Sequence, residues 1–109
     1  MTAFAPDPVR SRALPLVLVV DDDDELRRTI ERALTPDYRV ATAVDGADGL
    51  AQAMLTPPDL VLTDMTMPKM TGSDLILAMR KIPALAFVPI MILTGNDDQD
   101  LRVEALRNG

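Results

Sequence analysis

The chain has 109 residues, a net charge of −6 and 48% hydrophobic residues, which bounds it to one domain with one core and argues against global disorder. It has no cysteine and no histidine, which excludes a disulfide framework, thiolate or imidazole metal sites and Ser–His chemistry. The acidic balance argues against direct nucleic-acid binding, and one Tyr, two Phe and no Trp leave an aliphatic core.

Residues 1–15 carry Arg10, Arg12 and the prolines Pro6, Pro8 and Pro15, but no apolar h-region. They are expected to form a flexible N-terminal segment, not a secretory signal, ahead of a single domain over 16–109. The longest apolar stretch, Pro83 to Leu93, is too short and too proline-interrupted for a membrane span. A cytoplasmic protein with no membrane partner is the expectation.

Leu16-Val17-Leu18-Val19-Val20 is a continuous aliphatic run and predicts a buried first strand. A helix is expected over about 24–34 with Asp24 as N-cap. Leu26, Ile30, Ala33 and Leu34 share one face of it, and Pro36-Asp37 ends it. Tyr38 to Ala43 alternates as a second strand near an edge, and Asp45-Gly46 turns the chain. The next helix is expected over about 47–55, with Ala47, Leu50, Ala51, Met54 and Leu55 inward, and Pro57-Pro58 breaks it. A third strand at about 59–63 delivers Asp64. After the loop Met65 to Gly72, a third helix covers about 73–82 with Leu75, Ala78, Met79 and Ile82 inward. The fourth strand, at about 89–93, delivers Thr94. A last, weaker helix is expected over about 98–108, with Leu101, Ala105 and Leu106 inward and Asn108-Gly109 as its C-terminal signal. There is no room for a fifth strand.

This alternation predicts an α/β fold, a doubly wound parallel sheet with helices on both faces. Ligands of such sheets bind outside the carboxyl ends of the strands, which is where Asp21, Asp22, Asp64 and Thr94 fall. Two unit charges about 4 Å apart repel by about 4 kcal/mol at an effective dielectric near 20. A hard divalent cation cancels that repulsion, and Mg²⁺ takes one or two carboxylates together with phosphate oxygens and water. The pattern therefore points to a metal beside a phosphoryl group.

Four stretches resemble the response-regulator receiver domain of two-component signalling. They are Leu18-Val19-Val20-Asp21-Asp22, Pro58-Asp59-Leu60-Val61-Leu62-Thr63-Asp64, Met67-Pro68-Lys69-Met70-Thr71-Gly72 and Pro89-Ile90-Met91-Ile92-Leu93-Thr94-Gly95. The resemblance implies a flavodoxin-like sheet in strand order 2-1-3-4, with the family's fifth strand, its lysine and its fifth helix missing from a chain that stops at Gly109. It implies that Asp64 is the phosphoacceptor, receiving a phosphoryl group from a histidine kinase or phosphotransfer protein. It implies Mg²⁺ held by Asp22, Asp64 and the Thr66 backbone carbonyl, with Asp21 acting through water. Thr94 is the implied switch hydroxyl, and Gly95 the small residue that leaves the acyl phosphate open. Such a domain signals and is not an enzyme in its own right.

Two other readings start from the same residues. In one, Asp21 and Asp23 form the Asp-x-Asp pair of a Mg-dependent phosphohydrolase resembling the haloacid dehalogenase family, with Thr94 as its second motif; Asp64 then has no role. In the other, the chain is a receiver-like interaction module that is not phosphorylated. Strand four, without a neighbour, would present an unpaired edge, so a homodimer is expected through that edge or through the first helix.

Overall fold

The computed structural model of the chain describes residues 14–65, 70–96 and 100–106. Strand β1, Leu16–Val20, is buried at every position, because helices cover both faces of the sheet around it. Its side chains alternate between those faces. Leu18 and Val20 join the larger cluster, and Val17 and Val19 the smaller. Four strands run parallel, β1, β2 (Arg39–Ala43), β3 (Leu60–Asp64) and β4 (Ile90–Asn96), in the order 2-1-3-4. This is the expected flavodoxin-like arrangement.

Among the described residues, helix α1 (Asp24–Leu34) lies alone on one face, where Ile30 and Leu34 pack against Val17, Val19, Leu62 and Leu93. Ala33, expected inward, is exposed. The N-cap is Asp23, not Asp24: its carboxylate accepts from the Glu25 and Leu26 N–H groups at 3.0 and 3.1 Å.

Helices α2 (Gly46–Leu55) and α3 (Gly72–Arg80) cover the other face. The α3 expectation holds, with Leu75 and Met79 fully buried and Ile76 beside them. Of the face expected on α2, Leu50 packs against the core, and the rest differs. Gly46, Gly49 and Ala53 point inward, while Ala47, Ala51, Met54 and Leu55 are exposed. The cause is distance. A Cβ on Gly49 would stand 2.9 Å from a Val20 methyl, so the helix lies too close to β1 for large inward side chains. A short 3₁₀ turn, Pro83–Leu85, then leads to β4. Arg80 Nη1 ties that connection by donating to the Leu85, Ala86 and Val88 carbonyls at 3.4, 3.1 and 2.9 Å.

The helix expected over 98–108 is overturned within the described residues. Asp100–Leu106 is a strand, β5, antiparallel to β4 from Ile90↔Leu106 to Asn96↔Asp100, so the sheet has a fifth strand for which no room was expected. A hairpin partner satisfies the backbone groups of β4 that a helix would leave open. The unpaired strand-four edge expected to drive dimerisation is therefore covered, and that dimer route is withdrawn. Residues 1–13 of the expected N-terminal segment lie outside the described residues. Leu14 and Pro15 are held at the sheet, their carbonyls accepting from Arg39 Nε at 3.0 Å and the Arg39 N–H at 2.9 Å.

Candidate functional site

The β1–β3 register pairs Val20 with Thr63, so the next residue on each chain segment, Asp21 just past β1 and Asp64 as the last residue of β3, stands at the same level at the carboxyl end of the sheet. Asp22 follows in the β1–α1 loop. One carboxylate oxygen from each of Asp21, Asp22 and Asp64 lies within 4.8 Å of the other two. Asp21 is buried, Asp64 half-buried and Asp22 exposed, so the crevice opens outward past Asp22.

Asp21 is the innermost group. Its N–H still donates to the Ala43 carbonyl at 3.1 Å, extending the β1–β2 ladder. Its Oδ1 accepts from the Asp23 N–H at 2.8 Å, whereas Oδ2 is buried and has no hydrogen-bond partner among the described residues. Burial pushes the Asp21 carboxyl up to about 6 from its ordinary 3.8. The Asp23 N–H opposes that rise, and the nearby Asp64, Asp22 and Asp23 charges add to it. A buried carboxylate oxygen without a donor is costly. A metal-bound water would give it one, so the donor set fits a hard cation held by oxygen ligands.

Packing locates the β3 side. A Cβ on Gly72 would come 2.6 Å from the Asp64 carbonyl oxygen and 2.9 Å from the Met65 Cα. Only glycine lets the start of α3 close on the end of β3, where the Gly72 N–H donates to the Met65 carbonyl at 3.0 Å. Thr71 caps α3 through a reciprocal pair, its Oγ1 accepting from the Asp74 N–H while Asp74 Oδ2 accepts from the Thr71 N–H. Gly46 sits equally close to the loop, since its Cβ would stand 2.5 Å from the Met70 carbonyl oxygen.

The three expected carboxylates thus come together. Thr94 stands in β4, one residue beyond the Leu93 that pairs with Asp64. Thr66 and the Thr94 side chain lie outside the described residues. Arg27 was not among the expected site residues, yet its Nη1 donates to the Asp21 carbonyl at 2.8 Å. Its place six residues after Asp21, one helical turn into α1, was the available signal.

Residues 17–109 match the family described as the response regulator receiver domain. The chain belongs to that family. It is 38% identical over 96 residues to the transcriptional regulatory protein PrrA of Mycobacterium leprae, covering 87% of this chain and 40% of that protein. It is 39% identical over 95 residues to the hybrid signal transduction histidine kinase D of Dictyostelium discoideum, again 87% of this chain but 6% of that protein. Among solved structures, the Vibrio cholerae chemotaxis protein CheY4 superposes with a TM-score of 0.74 at 35% identity, covering 80% of this chain and 73% of that one. The receiver domain therefore spans less than half the length of these two curated relatives. Its family places it in two-component signal transduction, which runs on phosphoryl transfer. No helix among the described residues is long and apolar enough to cross a membrane.

Proposed function

We propose that this receiver domain accepts a phosphoryl group on Asp64 from a phosphohistidine of a histidine kinase or phosphotransfer protein in the cytoplasm. The observation that carries the proposal is the convergence of Asp21, Asp22 and Asp64 around a buried carboxylate oxygen that lacks a donor among the described residues. An Asp64 carboxylate oxygen attacks phosphorus, the new O–P bond forming as the N–P bond breaks, and the departing imidazole takes up a proton. Asp22, Asp64 and the Thr66 carbonyl would hold Mg²⁺, with Asp21 engaging it through water. When bound, the ion would neutralise charge on the transferring phosphoryl oxygens. The half-buried position of Asp64 suits a nucleophile that must meet a partner protein's phosphohistidine at the crevice mouth.

The state is then read through Thr94, whose hydroxyl donates to a phosphoryl oxygen and draws the end of β4 toward Asp64. A charge-assisted hydrogen bond of this kind is roughly twice as strong as a neutral one, enough to bias a two-state loop. The first helix remains the surface through which a homodimer would form.

Beryllofluoride, which imitates an acyl phosphate, tests the assignment. Its fluorine resonances should show a bound species with wild type and Mg²⁺, and none with Asp64→Asn. Binding that survives Asp64→Asn would move the acceptor to another residue.

A further inference from the structure

The loop between β1 and α1 carries two of the three carboxylates of the acidic site, Asp21 and Asp22, and one side chain of α1 grips it. Arg27 is mostly buried, its side chain 12% exposed. Its Nη1 donates to the Asp21 backbone carbonyl at 2.8 Å, and its Nη2 is paired with Asp24 Oδ1. The Arg27 N–H donates to the Asp23 carbonyl at 2.9 Å. One residue thus holds the backbone at both Asp21 and Asp23, while the Asp23 N–H holds Asp21 Oδ1. The guanidinium fork thus reaches the Asp21 backbone carbonyl on one side and the Asp24 carboxylate on the other.

Resting on the receiver reading of the site, we infer that Arg27 is a positioning residue: its fork, anchored on Asp24, fixes the Asp21 backbone so that the Asp21 and Asp22 carboxylates stay converged on Asp64. Groups that orient metal ligands from behind typically change metal affinity 10- to 100-fold when removed. A planar fork can serve a carbonyl and a carboxylate together, and a single ammonium cannot hold both in the same geometry.

The test is Mg²⁺ titration by calorimetry on the 109-residue chain, with the metal-free melting temperature and hydrogen exchange at the Asp23 N–H followed in parallel. Arg27→Ala should weaken Mg²⁺ binding about tenfold or more and speed exchange at Asp23. Arg27→Lys keeps the charge and much of the length, so it serves where the alanine variant folds poorly, and it should stay closer to Arg27→Ala than to wild type. Asp24→Ala, which frees the far end of the fork, should weaken binding severalfold. Wild-type affinity in Arg27→Ala or in Arg27→Lys would overturn the assignment, as would a lowered melting temperature with unchanged affinity. Absence of Mg²⁺ binding in wild type would instead defeat the metal reading of the site and take this assignment with it.

Discussion

The two halves of the acidic crevice are held by different physics. On the β1 side, Asp21 is fixed by hydrogen bonds from the Asp23 N–H, from Arg27 Nη1 and toward the Ala43 carbonyl. On the β3 side, the end of β3 is fixed by close approach, because Gly72 leaves no room between α3 and the Asp64 carbonyl. Hydrogen bonds tolerate a change of size but not the loss of a donor, whereas contact between backbones tolerates a polar change but no added atom. The β1 side should therefore respond to changes of charge and polarity, and the β3 side to changes of volume.

The sharpest way to break this contrast is Gly72→Ala. The new methyl would sit 2.6 Å from one backbone atom and 2.9 Å from another, and neither can swing aside as a side chain tip could. Overpacking of this kind costs about 3 kcal/mol, readable as a lower urea midpoint. A variant as stable as wild type would show that the β3 side is loose.

Asp21→Asn should act in the opposite sense. Asp21 loses its proton near its ordinary 3.8 when unfolded and at about 6 when folded. Between those values the folded state binds more protons, so rising pH costs stability through that window and the loss persists above it. Removing the charge should raise metal-free stability by about 2 kcal/mol at neutral pH and flatten the pH dependence between those values. It should also weaken Mg²⁺ binding. A variant less stable than wild type without metal would contradict the account of a strained buried carboxylate.

A smaller effect is expected from Asp23→Ala. The change removes the cap on the Glu25 and Leu26 N–H groups, worth about 1 kcal/mol. It also removes one of the charges that raise Asp21, which offsets part of that loss. Asp23→Asn, which keeps a capping oxygen and drops the charge, separates the two by chemical denaturation at neutral pH: it should retain the cap and show only the gain.

Strand ends were the legible part of this molecule. An aliphatic run breaking into carboxylates is a local signal, and it located Asp21, Asp22 and Asp64 before any geometry. The parallel sheet followed from the alternation of strands and helices, and its order 2-1-3-4 from the resemblance to receiver domains. The inward face of α2 was not legible in the same way. A rule that sends large apolar residues inward picks Met54 and Leu55 along with Leu50, but the helix sits so near Val20 that Gly49 and Ala53 take the buried positions and Leu50 packs beside them. Residues 100–106 fail for a related reason. Leu101, Ala105 and Leu106 have helical spacing, yet the open side of β4 offers a ladder of backbone partners, and pairing outweighs a weak local preference. Arg27 escaped notice because its target is a carbonyl: its spacing after Asp21 was a signal, but residue types alone do not name a backbone acceptor.

The central claim is that Asp64 takes the phosphoryl group within this acidic crevice. Intact-mass spectrometry after incubation with a small-molecule phosphodonor and Mg²⁺ tests it most directly, on wild type, Asp64→Asn and Asp22→Ala side by side. Wild type should gain the mass of one phosphoryl group and lose it at alkaline pH as an acyl phosphate does, with both variants unlabelled or nearly so. Equal labelling of Asp64→Asn, or a wild type that stays unmodified while binding Mg²⁺, would contradict the claim.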